Sequence, residues 1–187
     1  MQTTQVALTD QIFWAATLLT ALVDAAIVFL IARRLTAARL ARMKWPLAVA
    51  AFVIFGALWT SLASGRYWEE CYKYLFPAWS RWGLPLYVGL LFGAEGFLFA
   101  WLAPKIPGNA VVNFFVLGGL SSLPGHLWGI YGRGMFEKCA ILRESTPLPA
   151  LVFGVFEFIF YWIVIMGLAV LVQRALTRRQ DSTNLES

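Results

Sequence analysis

Two glutamates lie deep inside long apolar stretches of the sequence. Glu157 belongs to the stretch 147–162 (PLPALVFGVFEFIFYW) and Glu95 to the stretch 85–101 (PLYVGLLFGAEGFLFAW), and each follows the proline of a Pro-Leu pair by ten residues. If each stretch is a helix, its carboxylate lies roughly 15 Å from the helix start, near the middle of a hydrocarbon core about 30 Å thick. Ionisable side chains are costly at that depth and are expected to face other helices or a wet cavity, where they mark a functional site.

Two further residues can bind a ligand or exchange protons. Asp24 lies inside the first apolar stretch, and His126, the only histidine, follows Pro124-Gly125, a pair that should kink or break a helix. His126 can serve as a base, a proton relay or a ligand, or simply bond to a backbone group. The carboxyls can instead hold helices together by hydrogen bonding to a neighbouring carbonyl. The candidate ligand-binding or proton-exchanging residues are therefore Glu95, Glu157, His126 and Asp24.

Several chemistries are disfavoured by what the sequence contains. A single histidine excludes a multi-histidine metal site, and the sequence has neither a Cys-x-x-Cys pair nor a glycine-rich phosphate loop. Ser121 and Ser122 share one predicted helix with His126, which does not suit a nucleophile and base that must converge on one carbonyl. The two serines are expected to form hydrogen bonds between helices instead. No metal is predicted, and the sequence assigns no catalytic residue and no cofactor.

Long apolar helices have to position these residues. Of the 187 residues 60% are hydrophobic and only 13% are charged, whereas soluble domains carry about a quarter charged residues. The sequence predicts an all-α polytopic membrane protein with one five-helix transmembrane domain over residues 1–176. A polar cytoplasmic tail, 177–187, is expected to be disordered. The five predicted spans are 11–32, 46–64, 84–103, 110–131 and 148–172.

The basic residues predict the orientation of these spans. The positive-inside rule places loops rich in lysine and arginine in the cytoplasm. The loop after the first span carries five such residues and the segment before it carries none, which predicts an outer N-terminus and a cytoplasmic C-terminus. The net charge of +5 is explained by topology signals and anionic lipid headgroups, not by nucleic acid. The expected location is a cell membrane, with a prokaryotic inner or plasma membrane favoured.

Two parts of the sequence resemble each other. Segments 65–71 and 132–139 both contain Gly-Arg, a spacer, an aromatic residue, Glu, any residue and Cys, and the helices that follow match at an offset of 62 residues. Helices two–three and four–five are therefore predicted to form a parallel internal repeat about an axis along the membrane normal. A chance match between glycine- and aromatic-rich helices is the alternative. In the following helices Pro85, Leu86 and Glu95 match Pro147, Leu148 and Glu157.

Three functions are compatible with this pattern. The small size favours an accessory or assembly subunit of a membrane complex, whose partners are the lipid bilayer and other membrane subunits. The carboxylates favour a carrier or binding protein for a small or lipid-like ligand. An intramembrane enzyme that acts on a lipid-like substrate by Glu and His126 acid–base chemistry is the third hypothesis, so enzymatic activity is left open.

The two cysteines, Cys71 and Cys139, both lie in loops that are predicted to face outside. We expect a disulfide between them, formed in an oxidising compartment. Unreduced protein should resist alkylation, and reduction should expose two thiols that add two alkyl groups in the mass spectrum. Two thiols that alkylate freely without reduction would contradict the bridge.

Overall fold

All described parts of the chain that have regular structure are helical. The computed structural model describes residues 2–43, 45, 50, 83–132, 134 and 144–185. The helices are α1 (Gln2–Ala32), α2 (Ala37–Ala41), α3 (Gly83–Leu102), a 3-10 turn (Ala103–Lys105), α4 (Ala110–Leu120), α5 (Ser122–Leu127), a π-helical turn (Trp128–Gly132) and α6 (Pro147–Leu185).

Three of the described helical stretches are long and apolar enough to cross a membrane. They are Val6–Ala32, Ala110–Gly132 and Pro147–Leu176, and they coincide with the predicted first, fourth and fifth spans. The prediction of a helical membrane protein is thereby confirmed. Helix α3 coincides with the predicted third span, while nearly all of the second, 46–64, lies outside the described residues. Cys71 and Cys139 lie outside them too, so their disulfide stays a prediction.

Helices α1 and α6 lie side by side and run in the same direction. Near their beginnings, the backbone N–H of Thr146 donates to Asp10 Oδ1 at 2.8 Å and the Thr146 hydroxyl donates to Asp10 Oδ2 at 2.7 Å. Phe13 packs edge-on against Phe153 a little further along, with ring centroids 5.8 Å apart. The Asp10–Thr146 pair orients the residue that directly precedes α6, and so ties the starts of both helices together.

A tight turn joins α3 to α4 and makes them antiparallel. The Asn113 side-chain amide donates to the carbonyl oxygens of Ala103 at 3.1 Å and Ile106 at 2.9 Å. Asn109 precedes α4, and its Oδ1 accepts from the Val111 N–H at 2.9 Å. Helix starts leave several N–H groups without intrahelical partners, and an Asn N-cap satisfies one of them. The two asparagines thus hold both ends of the turn.

Trp162 of α6 is the centre of the core. Its side chain is fully buried. Four aromatic rings surround it with centroids 5.2 to 6.3 Å away, most of them edge-on, an arrangement that aromatic quadrupoles favour. These rings belong to Trp45, Phe92, Phe99 and Phe114, so the indole links α3, α4 and α6 with the segment after α2.

Two glycines let α4 approach α6 closely. A Cβ at Gly118 would overlap the indole of Trp162, and a Cβ at Gly119 would lie 2.9 Å from the Val155 carbonyl oxygen and 2.7 Å from Ile159 Cγ1. Small residues are common at helix interfaces in membranes, because packing rather than the hydrophobic effect holds such helices together.

Helix α6 continues to Leu185 and therefore includes most of the segment 177–187 that the sequence predicts to be disordered. The physical reason is that residues 168–185 contain neither glycine nor proline, the residues that most readily end a helix.

The Gly118 contact predicts a stability difference between two glycine substitutions. Gly118→Ala should force Trp162 to move and lower the free energy of unfolding by about 1 to 3 kcal/mol, as overpacked cores do. Gly167→Ala, at a helical position where a Cβ meets nothing within 4 Å, should be neutral or stabilise by about 0.5 to 1 kcal/mol through helix propensity. Thermal unfolding of both variants in the same detergent measures this, and equal melting temperatures would contradict the packing.

Candidate functional site

A break in the fourth predicted span positions two of the polar residues. Helix α4 ends at Leu120 and α5 begins at Ser122, ahead of Pro124. Proline has no N–H to donate to the carbonyl four residues earlier, and its ring clashes there, so the break occurs at residues 120–121. The Ser121 and Ser122 hydroxyls donate to the carbonyl oxygens of Gly118 and Gly119, each at 2.8 Å, and so satisfy backbone groups near the break. The predicted break is therefore present, three residues before the proline.

The His126 imidazole lies against α6. A Cβ at Gly154 would lie 2.7 Å from His126 Cε1, so only glycine at 154 leaves room for the ring. The Phe158 ring meets the imidazole edge-on, with centroids 5.5 Å apart. His126 Nδ1 is buried and has no hydrogen-bond partner among the described residues. This nitrogen is available to a ligand that can reach it.

Glu157 is half-buried and pairs with a hydroxyl on its own helix. The Tyr161 hydroxyl donates to Glu157 Oε1 at 2.5 Å, across one helical turn. An ionised carboxylate can accept about four hydrogen bonds, and the described contacts give Glu157 this one. The other oxygen therefore retains its capacity to accept.

Glu95 of α3 is linked to the helix break. Ser121 Oγ lies 3.4 Å from Glu95 Oε2 and 2.8 Å from the Gly118 carbonyl oxygen. A hydroxyl has one hydrogen, so it serves one acceptor at a time, and the shorter distance favours the carbonyl. The hydrogen bond from Ser121 to Glu95 is therefore weaker than the one from Ser121 to the Gly118 carbonyl. Glu95 can still accept hydrogen bonds from a stronger donor.

An aromatic pair, Phe92 of α3 and Phe158 of α6, connects these groups. Their ring centroids are 5.6 Å apart. The Phe158 ring also meets those of His126 and Tyr161, at 5.5 and 5.6 Å, and Phe92 meets Tyr161 at 6.5 Å. Glu95 follows Phe92 by one helical turn and Glu157 directly precedes Phe158. We call Glu95, Ser121, His126, Glu157 and Tyr161, together with Phe92 and Phe158, the carboxylate cluster.

Asp24 is placed apart from the carboxylate cluster. It is only 2% exposed, on the same face of α1 as Thr17 and Val28, which are buried as well. Neither carboxylate oxygen of Asp24 has a hydrogen-bond partner among the described residues. Glu95 contacts Ser121, Glu157 contacts Tyr161 and His126 contacts Phe158. Asp24 has no hydrogen bond with any of these residues in the described part of the structure.

The cluster offers hydrogen-bond acceptors and aromatic ring faces. Within the described ranges, no three His, Cys, Asp or Glu side chains lie close enough together to hold a metal ion. Carboxylates next to aromatic faces attract cationic groups, because both contribute negative potential.

Sequence reasoning did not single out Phe92 as a neighbour of the carboxylates, and it did not pair Tyr161 with Glu157. The spacing of Glu157 and Tyr161, four residues apart on one helix, was a usable signal, since such pairs face each other. The expected interhelical role of Ser121 agrees with its contact to Glu95, whereas Ser122 bonds to a carbonyl only three residues earlier in the chain.

Comparisons with protein-family models, with curated proteins and with solved structures find no match for this chain.

The Ser121–Glu95 contact predicts a measurable coupling between α3 and the break. A double-mutant cycle of Ser121→Ala and Glu95→Gln should give a coupling free energy of about 0.6 kcal/mol, the average for hydrogen bonds between membrane helices. The matched cycle of Ser122→Ala with Glu95→Gln should give about zero, because the Ser122 hydroxyl bonds to Gly119. Reversible unfolding in detergent provides the four free energies for each cycle. Equal coupling in both cycles would argue against a specific Ser121–Glu95 interaction.

Proposed function

We propose that this chain is a membrane-embedded binding protein or carrier for a small or lipid-like ligand that bears a cationic, hydrogen-bond-donating group. The supporting observation is the arrangement of Glu95 and Glu157. They belong to different helices, and each lies within one helical turn of a member of the Phe92–Phe158 pair, whose ring centroids are 5.6 Å apart.

The contacts of the carboxylates favour a cationic group. Each glutamate has one hydroxyl neighbour in the described structure, and each hydroxyl leaves acceptor capacity unused. In a hydrocarbon environment an incompletely bonded carboxylate is costly. An ammonium group that donates to these oxygens would offset that cost, and it would also face the aromatic rings of Phe92 and Phe158.

His126 complements this arrangement. Its Nδ1 has no partner among the described residues, and its ring contacts Phe158. A second polar group on the ligand, or a bridging water, would bond there. The π-helical turn that follows at Trp128–Gly132 is the type of irregularity that often accompanies functional sites in membrane helices.

We extend the proposal to the topology: five spans, an outer N-terminus and a cytoplasmic C-terminus, in a cell membrane. The parallel course of α1 and α6 supports an odd number of crossings from the first span to the last. The basic residues Arg34 and Arg174 lie at the same end of the bundle, as the positive-inside rule requires of a cytoplasmic side. The parallel repeat of helices two–three and four–five remains part of this proposal, supported by the sequence match alone.

Two other hypotheses from the sequence stay predictions. An accessory subunit would use its surface to dock on a membrane complex and would not need the carboxylates. An intramembrane enzyme would need His126 for turnover but not for binding. Substitutions in the carboxylate cluster distinguish them from the binding protein.

The binding proposal predicts that the glutamates determine affinity for a cationic amphiphile. Decylammonium should quench the tryptophan fluorescence of the purified protein with saturation, and Glu157→Gln or Glu95→Gln should weaken this binding about tenfold or more. The reason is that a hydrogen bond to a charged group contributes about 1.5 to 3 kcal/mol, and 1.4 kcal/mol corresponds to a factor of ten. Decanol, which has the same chain and no charge, should bind weakly and equally to all variants.

Glu144→Gln is the matched control, because Glu144 is exposed and directly precedes the segment that leads into α6. It should bind decylammonium as the wild type does. Equal affinity of the wild type and both cluster variants would overturn the proposal. If native membranes then yield a stoichiometric partner with wild type and variants alike, the accessory subunit becomes the better hypothesis.

A further inference from the structure

A groove lies between the second half of α1 and the middle of α6, and none of the residues of the carboxylate cluster lines it. Its volume is about 730 Å³. The walls are aliphatic and include Leu30 and Ile31 on α1 and Val170 and Leu171 on α6. The groove faces outward from the bundle, since Leu30 and Leu171 are 55% and 60% exposed. An apolar molecule in the surrounding bilayer can therefore enter it from the side.

Four arginines border the same groove. No acidic residue lines it, and no ion pair to these arginines is present in the part of the chain that the structure describes. Two arginines come from α2 and the residue after it, whose position is fixed by the Thr36 N-cap and by the buried Leu40. Of the other two, one follows α1 by two residues and one lies near the end of the apolar part of α6. They are Arg34, Arg39, Arg42 and Arg174.

The charged and apolar parts of the groove have the layout of a phospholipid. From Ile27 to Arg34 and from Met166 to Arg174, the lining covers about 10 to 12 Å along each helix. The arginines lie towards one end and the aliphatic residues towards the other. Gly167 leaves the groove wall open, because a Cβ there would meet nothing within 4 Å.

We propose that this groove is a binding site for an anionic phospholipid. Guanidinium groups bind phosphate oxygens in a bidentate manner, which suits Arg34, Arg39, Arg42 and Arg174 as ligands of the headgroup phosphate. The acyl chain lies along the aliphatic wall past Gly167. Basic pockets between transmembrane helices are the type of site that holds anionic lipid headgroups. This site is separate from the carboxylate cluster, which we propose takes a cationic ligand.

The test measures stabilisation of the full-length, delipidated protein in a neutral detergent. Addition of dioleoylphosphatidylglycerol should raise the Tm by about 5 °C, because a ligand that binds only the folded state stabilises it. Dioleoylphosphatidylcholine, which has the same acyl chains and no net charge, should give less than half of that shift. Equal shifts with the two lipids would overturn the proposal.

Neighbouring arginines provide a matched pair of variants. Arg34→Gln should reduce the phosphatidylglycerol shift at least by half, and Arg42→Gln does the same if Arg34→Gln does not fold. Arg33→Gln removes the same charge one residue away, but Arg33 lies over the Phe29 ring and does not line the groove. It should keep the full shift. Equal losses for Arg33→Gln and both groove variants would show a general charge effect and contradict the site.

Substitutions at Gly167 test whether an acyl chain occupies the groove. Gly167→Leu places a branched side chain in the groove and should reduce the phosphatidylglycerol shift, whereas Gly167→Ala, whose Cβ meets nothing within 4 Å, should retain most of it. If inorganic phosphate alone reproduces the shift and Gly167→Leu has no effect, the occupant is a free anion and the lipid proposal is wrong.

Discussion

The packing of Trp162 against Gly118 is the constraint on which the remaining geometry depends. The indole occupies the space that any side chain at residue 118 would need, and four aromatic rings close around it. Because α4 approaches α6 this closely, the helix break that follows α4 is held next to α6. His126 then lies against Gly154. The positions of the polar groups are therefore set by aromatic packing, which provides directional contacts where the hydrophobic effect between helices is absent.

The break at residues 120–121 shows how an irregular backbone is tolerated inside an apolar helix. Pro124 lacks the N–H that would donate to the Leu120 carbonyl. The hydroxyls of Ser121 and Ser122 bond to the two carbonyls just before it, those of Gly118 and Gly119. Ser121 also lies near Glu95, so one residue contacts both the backbone at the break and a carboxylate on α3. A ligand that competes for Glu95 would release the Ser121 hydroxyl entirely to the Gly118 carbonyl.

Much of the local structure could be predicted from the sequence, but most contacts between the helices could not. Apolar stretches and Pro124 indicate the described spans and the break, because these depend on composition and on the chemistry of one residue. Glu95, Glu157 and His126 are conspicuous because polar groups are rare at that depth. The contact of Trp162 with Gly118, or of His126 with Gly154, depends on which helix faces meet, and no spacing in the sequence specifies that. The arginine-lined groove is not predicted for the same reason, since Arg34 and Arg174 line one groove only once α1 and α6 align in parallel.

Helix α6 connects the two sites and keeps them electrically distinct. Glu157 and Arg174 are 17 residues apart, which is about 25 Å along a helix. No hydrogen bond or ion pair spans that distance, so the arginines do not satisfy the carboxylate oxygens directly. The carboxylates consequently have to obtain their counter-charge locally, from a group that lies near Phe92 and Phe158, and the arginines obtain theirs from the headgroup region of the bilayer.

A headgroup bound at Arg34 and Arg174 would hold α1 and α6 together at one end, as Asp10 and Thr146 hold them together at the other. The helix that carries Glu157, Tyr161 and Trp162 would then be fixed at both ends, and its middle would be the part left to respond to a ligand.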